Sequence, residues 1–297
     1  MNQDTGIDVE PIIDVDGMPL APSLALTSPQ GAFIVFGPAI NQATSWHEPT
    51  TLEKQLTLDL LTNWKQSTIN GPCKDTTQKI IQAANSLNLY VCRAKITKKV
   101  DGVDVPDSYL LVYTKPGIKN YSGAFFMLRE TKHSKIIIIG PHDDSDGTYA
   151  DTKIGMSGSH ALACISNGHK RKYIQEEDYR NSDFVHSVNN LGTYAVEEMC
   201  KLFPGSVCMH IHGMADNKKC LVRCRDDKMM KVFRKTIADN TILDLNDFFP
   251  LNAYFTIDNL VNTNYYLKTE MPAGIHMKNK VIIRIIALEM EKYSWAW

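Results

Sequence analysis

Six of the nine histidines in the chain, His142, His160, His169, His186, His210 and His212, fall between positions 142 and 212, where even spacing would leave about two. Imidazole titrates near neutral pH and is the commonest metal ligand in proteins, so histidines gathered at strand ends point to metal or acid–base chemistry. The first block is Gly140-Pro141-His142-Asp143-Asp144-Ser145-Asp146, directly after the aliphatic run Ile136 to Ile139. Glycine and proline end the strand. The turn then offers a neutral nitrogen from His142 and several carboxylates, of which Asp146 is the candidate oxygen donor for a divalent ion. The competing reading is an Asp-rich surface turn. The second block is Met209-His210-Ile211-His212-Gly213. In an extended chain His210 and His212 share a face, and Gly213 lets the backbone turn at once, which favours His212 as the ligand.

Three further segments supply polar groups of other kinds. Gly168-His169-Lys170-Arg171-Lys172 is a cationic turn. It is either a solvated basic loop or a clamp, in which Arg171 grips a substrate carboxylate or phosphate by a two-pronged hydrogen bond with His169 and Lys170 beside it. His186 precedes a helix that Asn189 or Asn190 can cap, so it sits on a loop where it could orient substrate or donate a proton. Glu289 follows the apolar run Val281 to Leu288 and would stand at the carboxyl end of that strand as a general base. Glu270 and Glu291 compete with it for that role.

The elements that must position these groups are legible as periodicity. From Lys135 onward strands alternate with helices: the β-branched run 136–139, a helical stripe of Leu191, Ala195, Met199 and Leu202 stopping at Pro204-Gly205, then a strand over 207–212. A further helix follows Asp226-Asp227 through Met229, Met230, Phe233 and Ile237, and a last strand spans 281–288. A run with four consecutive isoleucines is expected where both faces of a sheet are covered. Sites in such layered folds collect at the carboxyl ends of strands. Earlier in the chain, a short strand over 32–36 precedes two helices. The first carries a Thr50/Glu53 capping box ahead of Leu52, Leu56, Leu60 and Trp64; the second a similar Asp75/Gln78 pattern ahead of Ile80, Ile81, Ala84 and Leu87. Strands over 89–96, 109–114 and 124–128 complete an α+β layer. Residues 1–30, with Pro11, Pro19, Pro22 and Pro29, read as an extended arm, and 31–297 as one α/β domain whose halves are 31–130 and the metal-site half 131–297.

The ordered series of Pro141-His142 with Asp146, Gly168-His169-Lys170-Arg171, His186, His212-Gly213 and Leu288-Glu289 resembles the zinc carboxypeptidase-like amidohydrolases, the group of poly-γ-glutamate hydrolase and N-formylglutamate amidohydrolase. The resemblance covers about residues 135–290. It implies a mixed, largely parallel sheet flanked by helices, of the phosphorylase/hydrolase-like kind, and one zinc ion held by two histidines and a carboxylate. Carried over, His142, Asp146 and His212 are the ligands, Glu289 is the base, and Arg171 clamps the carboxylate of a small-molecule or peptide substrate. The expected activity is hydrolysis of an amide or peptide bond through a metal-bound water. Zinc carboxypeptidases usually carry His-x-x-Glu as the first ligand pair, whereas this chain has His142-x-x-x-Asp146.

Composition bounds these readings. With 43% hydrophobic and 22% charged residues over 297, the chain has the make-up of a globular protein with a buried core. Its 32 basic and 33 acidic residues nearly balance, which argues against a broad nucleic-acid surface. The longest aliphatic run is far shorter than the ~20 residues a membrane span requires. Seven cysteines without a CxxC pair, and an N-terminus without a basic or apolar stretch, lead to the expectation of a cytoplasmic protein with free thiols. Two other functions fit the same residues. One is a non-catalytic assembly protein retaining the fold, using the arm for homo-oligomer contacts; the other is a metal-dependent phosphodiesterase gripping phosphate with Lys170, Arg171 and Lys172.

Overall fold

The computed structural model describes residues 7–10, 46–100, 103–114, 124–131, 135–140, 161–167, 190–212, 221–223 and 274–278. These residues form three helices, α1 (Thr51–Asn70), α2 (Lys74–Ser86) and α3 (Leu191–Leu202). They also form nine strands: β1 (Ile7–Glu10), β2 (Leu89–Val100), β3 (Val103–Thr114), β4 (Ala124–Arg129), β5 (Ile136–Gly140), β6 (Ala163–Asn167), β7 (Val207–His212), β8 (Leu221–Arg223) and β9 (Gly274–Lys278). All nine belong to one sheet in the order β1-β2-β3-β4-β6-β5-β7-β9-β8. Among the described residues no helix is long and apolar enough to cross a membrane.

The sheet is mixed, as expected, but it is not largely parallel. Five of its eight pairings are antiparallel and three parallel. The reason is connection length. Two residues separate β2 from β3, enough for a hairpin and far too few for a crossover, so the strands of the first half run up and down. Parallel pairing is confined to β5, β6, β7 and β9. Strands before and after residue 130 share this sheet, because β4 pairs directly with β6. Within the segment read as an arm, Ile7–Glu10 is described and pairs antiparallel with β2.

Helix α1 starts where its capping box predicts. The Thr50 hydroxyl accepts from the Glu53 amide while the Glu53 carboxylate accepts from the Thr50 backbone N–H at 2.8 Å. Burial of Glu53 would raise its carboxyl pKa, but hydrogen bonds from Thr50 and His47 outweigh that and lower it. The apolar stripe drifts, however. Residues four apart advance about 40° around a helix, so Leu52 has rotated out to solvent (66% exposed) while Leu60 and Trp64 are buried. Helix α2 departs from the expected cap as well. Its N-cap is Cys73, with no side-chain cap bond, and Asp75 lies in the first turn. A carboxylate in that turn complements the positive end of the helix dipole. Asn190 caps α3 by accepting from Gly192 N–H, and Gly205, at φ 80°, sits in the turn that ends the helix.

The three helices share one buried cluster with alternate residues of the sheet, among them Leu110, Val112, Phe126, Leu128, Ile137, Ile139 and Ile165. Leu111, Met127, Ile138 and Cys164, on the opposite face by strand alternation, are buried too. Both faces of the central strands are therefore covered, as the isoleucine run of β5 requires. Trp64 fastens α1 to the sheet by donating its indole N–H to the Arg129 carbonyl at 2.7 Å, and its ring lies 5.1 Å from that of Phe203.

Candidate functional site

Because β5, β6, β7 and β9 are mutually parallel, their carboxyl ends lie along one edge of the sheet. Register fixes how the ends line up. Gly140 stands beside Ser166, and Ile139 beside both Ile165 and His210, so Gly140 is level with Ile211. One position further out, His212 stands beside Lys278. The chain thus leaves β5 at Gly140, β6 at Asn167 and β7 at His212 within one residue of the same level. The segments that follow these exits begin Pro141-His142, Gly168-His169-Lys170-Arg171 and Gly213. At the edge itself Gly140, Ser166 and Asn167 are buried.

Of the sequence-derived site residues, His212 alone is described, as the last residue of β7. His142, Asp146, His169, Lys170, Arg171, His186 and Glu289 lie outside the described residues, as do the predicted strands over 32–36 and 281–288 and the predicted helix after Asp227. Among the described residues no group of three or more His, Cys, Asp and Glu side chains could hold a metal ion. The proposed ligand set has two of its three members elsewhere.

Strand β9 was not anticipated, and it brings an unpredicted residue to this edge: His276 stands beside His210 in the parallel β7/β9 pair and beside Arg223 in the antiparallel β8/β9 pair. The available signal was the alternation of Ile275 and Met277 with His276 and Lys278. Strand β6 was likewise missed, although its buried sequence Ala-Cys-Ile-Ser-Asn sits at the centre of the sheet.

No family model matches the chain, and no curated protein does. Among solved structures, a weak structural match is a metallo-carboxypeptidase from Pseudomonas aeruginosa in complex with (2-guanidinoethylmercapto)succinic acid, covering 74% of this chain and 67% of that one at 9% identity and a TM-score of 0.31. The two chains share too little geometry for residues of one to be assigned from the other.

Among the described residues, the buried charged side chains Arg129 and Glu130 lie at the opposite edge. Strand β4 runs antiparallel to β6, so Arg129 and Glu130 fall beside the start of β6 rather than its end. Glu130, with its side chain fully buried, accepts from Arg93 Nε at 2.6 Å, Arg93 Nη2 at 2.9 Å and the Ser108 hydroxyl at 2.9 Å. Arg93 also donates to the Thr77 hydroxyl, linking β2 to α2. Arg129 is fully buried; its Nε donates to the Ala161 carbonyl at 2.8 Å and its guanidinium lies 4.6 Å from the centre of the Tyr109 ring. These arrangements tie strands and helix together at the far end of β6, away from the histidine-bearing edge.

Proposed function

We propose that the chain is a divalent-metal-dependent hydrolase that cleaves an amide or peptide bond close to a carboxylate. The observation that supports this is the register of the parallel strands, which starts the His142 segment beside the strand that ends in His212 and the Arg171 segment one strand further along the same edge. Chain connectivity turns the register into a limit. Two residues reach about 7 Å from Gly140 at full extension, and neighbouring strands are about 4.8 Å apart, so the Cα atoms of His142 and His212 lie within about 13 Å. An imidazole places a metal about 6 Å from its own Cα, given a Zn–N bond of about 2 Å. Chain length therefore permits a turn after Gly140 in which the two imidazoles, directed to one point, share an ion.

The donor set fits a catalytic zinc: two neutral imidazoles, His142 and His212, with the Asp146 carboxylate leave a fourth coordination position open. When bound, the ion supplies a Lewis acid and lowers the pKa of a water in that position. In this reading Glu289 takes the proton of the attacking water, and His186 orients the substrate or returns a proton to the leaving nitrogen. Arg171 holds the substrate carboxylate in a planar two-pronged grip, with Lys170 and His169 adding positive charge.

The test is hydrolysis by the intact protein, purified without added metal, of N-acylglutamates and glutamate-terminated peptides, with amides lacking a carboxylate and a phosphodiester as comparisons. The reading predicts cleavage of the carboxylate-bearing amides, loss with a zinc chelator, recovery on adding zinc, and a fall of about 10²-fold or more in Glu289→Gln. Chelator-insensitive cleavage, or cleavage of the phosphodiester alone, would reject it.

A further inference from the structure

We infer that Cys200 and Cys208 form a dithiol site that small-molecule disulfides convert to an intramolecular disulfide. The inference stands apart from the hydrolase reading and uses neither the histidines nor a metal. Cys200 lies in the last turn of α3 and Cys208 is the second residue of β7, and their sulfurs are 3.7 Å apart. The other described cysteines, Cys73, Cys92 and Cys164, form no disulfide. The two members differ in access. Cys200 is partly exposed at the border of the core, whereas Cys208 is buried within it. That asymmetry orders the chemistry.

The partly exposed Cys200 thiolate attacks one sulfur of a small disulfide, forming a mixed disulfide and expelling one small thiolate, which takes up a proton. Cys208, already at contact distance, then gives up its proton and attacks the Cys200 sulfur. The Cys200–Cys208 bond forms, and the bond to the small molecule breaks to release a second thiol. Two protein thiols are oxidised by two electrons and one disulfide is reduced to two thiols. No bulky reagent has to enter the core, because the buried member reacts only with its neighbour. The product ties the end of α3 to β7.

The experiment uses the full chain carrying Cys73→Ser, which removes an exposed thiol, incubated natively with oxidised glutathione, alkylated and digested with trypsin. Lys201 lies between the two cysteines, so their disulfide appears as two peptides joined, residues 181–201 to 202–218, each with a single cysteine. The expected result is that this joined peptide exceeds any other cysteine pair at least tenfold. Glutathione should then persist on Cys200 in Cys208→Ser. A glutathione adduct persisting on Cys200 while Cys208 is present, or joining of either cysteine to another partner, would overturn the inference. Should Cys208→Ser fail to fold, the peptide map of the chain retaining both thiols decides alone.

Discussion

Replacing Glu130 by glutamine is the sharpest test of how the far edge of the sheet is held. The substitution keeps the size of the side chain and removes the charge that Arg93 grips through two nitrogens at 2.6 and 2.9 Å. Glu130 is fully buried in its side chain, while the Arg93 side chain is 16% exposed, so the arginine left behind is largely without solvent. Breaking a buried pair from one side costs about 3–5 kcal/mol. The lower end, about 3 kcal/mol, is expected here because Arg93 keeps its bond to Thr77 and some contact with water. Replacing both members together, Arg93→Met with Glu130→Leu, removes the desolvation problem with the pair and should cost less than about 1.5 kcal/mol. Urea unfolding followed by circular dichroism measures all three proteins as shifts of midpoint at constant slope. A single substitution costing under about 1 kcal/mol, the range of exposed ion pairs, would refute the placement of this pair in the interior.

Thr50→Ala removes the α1 cap and should destabilise the fold by about 1 kcal/mol in the same assay. Because the Glu53 carboxyl titrates lower in the folded chain than in the unfolded one, its contribution is present above its unfolded pKa and lost as pH falls through its folded value; Glu53→Gln should flatten that part of the stability profile. Thiol labelling at pH 8 should modify Cys73 early, since hydrogen bonds from Thr76 lower its pKa and it is exposed, and should leave Cys92, pushed up to about 12 by burial, unmodified in the folded chain. Ile138→Ala should cost about 2–5 kcal/mol, because the side chain is fully buried on the sheet face opposite α1, α2 and α3.

Local signals in the sequence carried the elements whose causes are local. The Thr50/Glu53 box, the Leu191-to-Leu202 stripe and the runs at 136–139 and 207–212 each fold as their spacing indicates. Features set by distant partners were not legible. Nothing in Ile7–Glu10 or Gly274–Lys278 states that these segments pair with β2 and β7, and the largely parallel sheet that the resemblance implies leaves out the antiparallel strands of the first half. Burial of Arg129 and Glu130 is equally invisible locally, since a charged pair ending a strand ordinarily faces water. For the candidate site, residue types and order were readable, whereas the shared sheet edge of β5, β6 and β7 follows from strand order, a non-local property.

The central claim is that His142 and His212 meet at one ion on that edge. Crystals of protein purified without added metal, measured on either side of the zinc absorption edge, test it directly. The account predicts one anomalous peak per chain, bonded at about 2.0–2.1 Å to a nitrogen of each of these histidines and to an Asp146 oxygen. Imidazoles of 142 and 212 too far apart to share a cation, with no peak between them, would contradict it.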